Sequence, residues 1–263
     1  MRVVKAILKR ALGSIGVDIQ RSSPLLKAQD LSTRSLNRPT RVIEFLGPSS
    51  AGKTHLMKDL LPRLGESWLH SVALHPGLWR TPLMEADPRL VAFFRHLLGE
   101  KCRRFADAEF EHKHFATQLR ALEFYLESIR RNCYLSNGCP VDIINDEGLV
   151  SNFAEELLTF QHEDHALVTH AFRRRVVVFL KISEERFLRN VALKRQARPK
   201  HAPHYFGFSD ADLKAHYLRI YPELTNLVQF LKSVDVQVVT VMPERDSLAE
   251  IHDEISNALQ RLS

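Results

Sequence analysis

"RVIEFLGPSSAGKTHLMKDLL" occupies residues 41–61. It opens as an apolar alternating run, as a strand does, and closes from Lys53 onward as an amphipathic helical pattern. Between the two, GPSSAGKT places Gly47, Gly52, Lys53 and Thr54 on the spacing G-x-x-x-x-G-K-[ST]. Average residue frequencies give on the order of 0.01 chance matches in a chain of this length. The position adds to the match, because such a loop works only where a strand ends and a helix begins. Its glycines let the backbone close round phosphates, and its N–H groups converge at a helix N-terminus. This reading assigns Gly47, Ser49, Ser50, Ala51, Gly52, Lys53, Thr54 and His55 to nucleotide binding. Lys53 would reach the β- and γ-phosphates and the Thr54 hydroxyl would hold Mg²⁺, so ATP and Mg²⁺ are the expected cofactors. An ordinary glycine turn before a helix is the bland alternative.

Outward from the loop, strand and helix alternate. Short apolar, β-branched runs predict strands at 41–46, 68–74, 141–145, 175–182 and 236–242. Helical patterns fall at 53–63, 88–105, 109–135, 151–171, 184–197, 209–232 and 246–262. Alternation of this kind predicts an α/β fold of three layers, a five-stranded, mostly parallel sheet with helices on both faces. The stretch 41–263 is then one domain, with 88–135 as a helical acceptor cap and 186–208 as a lid.

Two further clusters carry chemistry. Asp146 and Glu147 close the third strand run, where an acid in a phosphate-loop domain lies beside the metal. Asp146 is the expected Mg²⁺ ligand, and Glu147 the group that accepts a proton from an attacking hydroxyl or orients a water. Asp142 lies inside the strand and is a poorer ligand; a solvated Asp-Glu-Gly turn is the competing account of the pair. After the fourth strand, Arg186, Arg189, Lys194, Arg195, Arg198 and Lys200 crowd together. Arg195 and Arg198, spaced i and i+3, are the expected lid arginines that neutralise charge on the transferring phosphoryl. A solvated basic helix face competes with that role.

Charge is unevenly placed. Residues 1–41 hold Arg2, Lys5, Lys9, Arg10, Arg21, Lys27, Arg34, Arg38 and Arg41 against Asp18 and Asp30, and the rest of the chain is nearly neutral. The basic pI therefore reflects the arm, and no nucleic-acid partner is expected of the body. Residues 1–17 have the pattern of a basic amphipathic helix, suited to an anionic membrane surface through residues 1–20, or to packing on its own domain or on a second copy in a homodimer. A basic, acid-poor presequence is a further reading of the same stretch. Residues 20–40, rich in Ser, Arg and Pro, read as a linker. Three cysteines without a C-x-x-C pair argue against a disulfide framework or a zinc ribbon. A cytoplasmic location follows as the expectation, with peripheral contact at the inner membrane surface. The histidine groups 112/114, 162/165/170 and 201/204 lack an H-E-x-x-H pattern and read as solvent-facing. Most aromatics at helical spacing in 88–135 read as core. Trp68, Trp79 and the HPGLWRTP stretch mark where an acceptor could enter after the second strand, and Arg80 is a candidate contact for an anionic one.

With loop, acidic strand end and basic segment in that order, residues 41–262 resemble the nucleoside and nucleoside-monophosphate kinase superfamily, with the organisation of thymidylate kinases. The octet itself is similar to the guanylate kinase loop. The resemblance implies a five-stranded parallel sheet, a metal-binding acid at Asp146 and lid arginines at Arg195 and Arg198. Glu147-Gly148 stands where thymidylate kinases carry Arg after the acid and deoxynucleoside kinases carry Glu-Arg-Ser. The expected activity is a kinase acting on a small-molecule acceptor such as a sugar, a glycan precursor or a nucleotide. The alternatives are a regulatory or assembly ATPase and a non-catalytic nucleotide-binding module.

Overall fold

The computed structural model describes residues 40–74, 87–106, 115–137, 139–162, 164–197 and 207–262. The N-terminal arm, Trp79, Arg80, His112, His114, Arg198, Lys200, His201 and His204 lie outside them. Among the described residues five strands, β1 (Val42–Leu46), β2 (Trp68–His70), β3 (Asp142–Asn145), β4 (Arg175–Leu180) and β5 (Gln237–Val241), form one sheet in the order β2-β3-β1-β4-β5. Every pairing is parallel. The helices are α1 (Lys53–Leu64), α2 (Pro88–Ala106), α3 (Phe115–Asn137), α4 (Leu149–Asn152), α5 (Ala154–Thr159), α6 (His165–Phe172), α7 (Glu184–Ala197), α8 (Asp210–Ser233) and α9 (Leu248–Gln260). No helix among the described residues is long and apolar enough to cross a membrane.

The strands are short apolar runs because both faces are covered. Every residue of β1 and β4 is buried, while the edge strands β2 and β5 are partly exposed. Along β4 the side chains alternate between layers. Val176, Val178 and Leu180 pack with Ile43, Phe45, Met57, Leu60, Phe187, Val191, Ile251 and Ile255, under α1, α7 and α9. Val177 and Phe179 face Phe93, Leu97, Leu157, Val168 and Leu227, under α2, α5, α6 and α8. Ser209 and Ser247 begin α8 and α9 with reciprocal capping boxes to Asp212 and Glu250, which fixes where those helices start.

Several sequence expectations shift at element ends. The second strand ends at His70 and gives way to a 3₁₀ turn at Ser71–Ala73. The expected helix at 151–171 is broken into α4, α5, a 3₁₀ turn at Phe160–His162 and α6. Phe153 leaves the helical region between α4 and α5, and Asp164 starts α6 anew by accepting the Ala166 N–H. His170 is not solvent-facing: it is held 2.5 Å from Asp87. Trp68 belongs to the core under β2, with the Arg41 guanidinium over its ring. Phe93 and Phe94 are core, but Phe124 is half exposed.

Two charged pairs sit inside the sheet. Asp142, the first residue of β3, accepts hydrogen bonds from the backbone and guanidinium of Arg41 at the strand end remote from the phosphate loop. Glu44 in β1 pairs with Arg175 in β4, both fully buried. Arg175 also donates to the Asn132 side chain and carbonyl and to Ser136 of α3. The other Glu44 oxygen accepts the Val150 N–H at the start of α4. Gly148 is where this network meets the β3–α4 turn: a Cβ there would lie 2.5 Å from the Glu44 carboxyl carbon.

Candidate active site

The octet forms the turn from β1 into α1. Gly47 has φ 152°, and a Cβ on it would meet the Leu180 carbonyl of β4 at 3.2 Å. Gly52, at φ 98°, starts α1 from the left-handed region. Ala51 is buried in the core and its N–H donates to the Pro48 carbonyl at 3.1 Å, which anchors the loop from below. Ser50 takes φ 67°, unusual for a non-glycine residue. Its carbonyl is held by Asn190 of α7 at 2.9 Å, while its hydroxyl is buried without a hydrogen-bond partner among the described residues. Ser49, Thr54 and His55 are exposed around the mouth.

Lys53 reaches back over the loop and donates to the Gly47 and Pro48 carbonyls at 2.8 and 3.1 Å. Burial lowers its pKa, while the carboxylates of Glu147 and Asp146 pull it back up and the Lys194 cation pushes it further down. The loop lysine thus sits in a field that would welcome an anion, with its charge only partly compensated.

Asp146 follows the last residue of β3. The Thr54 hydroxyl donates to its Oδ2 at 2.7 Å, and His70 Nε2 lies 3.2 Å from Oδ1. Burial acts to raise the Asp146 pKa, but the hydrogen bonds from His70 and Thr54 outweigh it and hold the carboxyl at about 2. A carboxyl depressed from 3.8 contributes stability that is fully present above pH 3.8 and is lost as pH falls toward 2. Asp146→Asn is therefore expected to remove on the order of 2 kcal/mol of acid-dependent stability, read as a flatter denaturation midpoint between pH 4 and pH 2. Glu147 is exposed, with its N–H toward the Asn145 side chain at 3.4 Å.

Cations flank this acidic pair. Arg131 of α3 donates to the Glu147 carbonyl at 3.3 Å, and its Nε is buried with no hydrogen-bond partner among the described residues. Desolvation lowers its pKa against the charges of Glu44, Asp146, Glu127 and Glu147. On the other side, Asn190 and Lys194 share one face of α7, at i and i+4: Asn190 clamps the loop, and Lys194 is close enough to Lys53 for their charges to repel. Arg195, one residue further round the helix, instead donates to the Phe208 carbonyl at 2.7 Å. The structure thus brings together Gly47, Ser50, Ala51, Gly52, Lys53, Thr54, Asp146 and Glu147, and turns Arg195 toward the segment that leads into α8. The sequence reading missed His70, Arg131 and Asn190 and gave Lys194 no separate role. Helical phase from Asn190 was the available signal for Lys194; for His70 it was its place at a strand end next to the Asp146 strand.

The donors fit a hard cation. A hydroxyl and a carboxylate side by side at the N-terminus of α1 are the oxygen ligands that Mg²⁺ takes when substrate phosphates and water supply the rest. Among the described residues no group of three His, Cys, Asp or Glu is placed to hold a metal alone.

No family model matches the chain, and no curated protein matches its sequence. Among solved structures it is similar to a shikimate kinase from Acinetobacter baumannii in complex with shikimate, at 16% identity and a TM-score of 0.35, covering 85% of this chain and 96% of that one.

Proposed function

We propose that the protein is an ATP- and Mg²⁺-dependent kinase that transfers the γ-phosphoryl group to a hydroxyl of a small-molecule acceptor. The observation that carries this reading is the Thr54–Asp146 hydrogen bond, which joins the phosphate loop to the acid at the end of the neighbouring strand. Thr54 and Asp146 would hold the Mg²⁺, whose contribution is to neutralise charge on the β- and γ-phosphates. Lys53 offers its ammonium to the same phosphates from within the loop. Glu147, exposed beside Lys53, accepts the proton of the acceptor hydroxyl as its oxygen bonds to phosphorus and the bond to the ADP oxygen breaks. Lys194, whose charge is felt at Lys53, would serve as the lid cation and stabilise the charge that spreads over the transferring group. Helix α3 supplies one wall of the acceptor side through Arg131. The organisation of a thymidylate kinase-like domain, with 88–135 as acceptor cap, is part of this reading.

The exposure of Glu147 also favours a second reading, an ATPase in which the same carboxylate orients water. Acceptor dependence separates the two. A kinase shows slow hydrolysis alone and strong stimulation by one member of a metabolite panel. Steady hydrolysis without any acceptor, abolished by Glu147→Gln, favours the ATPase. In either case Lys194→Ala is expected to lower kcat about 100-fold while leaving the affinity for Mg·ADP within a few-fold, by calorimetry. An unchanged kcat would remove Lys194 from the lid role.

A further inference from the structure

The end of the edge strand β2 and the 3₁₀ turn after it carry two polar side chains, His70 and Ser71, that neither the loop nor the metal ligands account for. The strand is three residues long and among the described residues pairs only with β3, placing His70 opposite Ile144. Trp68 anchors it in the core. From its far end, His70 Nε2 meets Asp146 Oδ1 at 3.2 Å, and the Ser71 hydroxyl donates to Asn145 Oδ1 at 3.0 Å. That same Asn145 oxygen faces the Glu147 N–H at 3.4 Å, and Asn145 is buried. Both acids of the site are thus tied, one directly and one through Asn145, to consecutive residues, the last of the edge strand and the first of the 3₁₀ turn that follows it.

We propose that the end of β2 and the turn after it position the two acids of the site: His70 fixes the rotation of the Asp146 carboxylate, and Ser71, through Asn145, sets the turn that presents Glu147. The inference rests on the kinase reading for what the acids do. A carboxylate turns freely about its last bond, and a single hydrogen bond from Thr54 leaves that rotation open. A second partner on the other oxygen, from a different element, closes it. Partners of this kind, behind the ligand and not on the metal, typically govern metal affinity by 10- to 100-fold. Neither His70 nor Ser71 needs to touch the nucleotide for this. They are positioning residues: the loss of His70 should be felt only where the metal takes part, and that of Ser71 only where Glu147 acts.

Calorimetric titration of ADP into the full chain, with Mg²⁺ and with EDTA, tests this without requiring turnover. His70→Ala is expected to weaken Mg·ADP binding roughly 10- to 100-fold and to change metal-free ADP binding less than about twofold. His70→Gln, whose amide nitrogen reaches the place of Nε2, should restore most of the loss and serves if the alanine variant does not fold. Ser71→Ala should leave Mg·ADP affinity intact and lower kcat. Equal weakening with and without Mg²⁺ would mean a merely structural role and overturn the proposal, as would Mg·ADP affinity unchanged in His70→Ala. Absence of ADP binding by the unaltered protein would instead bring down the nucleotide-binding reading, and this inference with it.

Discussion

Lys53→Ala is expected to lower phosphoryl transfer by on the order of 1000-fold and to leave the fold in place. The ammonium lies inside the loop on the Gly47 and Pro48 carbonyls, next to the carboxylates of Glu147 and Asp146 and opposed by Lys194. On the proposed kinase reading, a cation in that position would act on charge that develops during transfer, where water is thin and each interaction is worth more than at the surface. Its removal leaves two carbonyls short of a donor at a half-exposed mouth, a modest cost that leaves the core untouched. Melting should therefore move by only a few degrees, while the stabilisation that Mg·ATP confers on the unaltered protein should vanish. Lys53→Arg should not restore activity, since a planar guanidinium cannot take the compact place of an ammonium between two carbonyls. If Mg·ATP raised the melting temperature of Lys53→Ala as much as that of the unaltered protein, the loop would not be the nucleotide site.

The largest effect on stability is expected at Glu44. Glu44→Ala leaves Arg175 buried with its charge uncompensated, and breaking a buried pair from one side costs about 3–5 kcal/mol. In a domain of this size that corresponds to a fall in Tm of roughly 10 °C, measurable by calorimetry and by the urea midpoint. The loss should reach the site as well, because Glu44 also accepts the Val150 N–H and fills the space under Gly148, two residues beyond Asp146. The double variant Glu44→Leu with Arg175→Met removes both charges and should recover most of the stability, as apolar replacement of a buried pair commonly does. It should not recover full activity, because α3 would lose the Arg175 bonds to Asn132 and Ser136 and the β3–α4 turn its carboxylate. A single variant as stable as the unaltered protein would show that the pair is neutralised or solvated and not held as a buried ion pair.

The residues that the sequence made legible are those whose role is local. The glycines at 47 and 52 are needed by the turn they form, and Lys53 and Thr54 sit at fixed offsets from it. The strands at β1 and β4 are near-continuous apolar runs because each is covered on both faces, and helix α7 begins and ends where its pattern does. Helices α4 to α6 were less legible. Their apolar spacing continues across Phe153 and Phe160, but both rings are drawn into the core under β4, and packing breaks the helix there where propensity alone would extend it.

What the sequence by itself determined is the G-x-x-x-x-G-K-T turn, its place between β1 and α1, the parallel sheet that presents it and the acid at the end of β3, since each follows from residue type and short-range spacing. The tertiary structure alone decided which distant side chains gather round the loop and the strand-end acid. It turned Asn190 toward the loop and Arg195 toward the Phe208 carbonyl, because residues five apart on a helix lie on different faces, and Lys194 shares the helical phase of Asn190. It set His70 against Asp146, because strand order makes β2 and β3 neighbours across 76 residues of sequence. It also paired Glu44 with Arg175 across 131 residues, because a charge inside a strand finds its partner only once the sheet is in register.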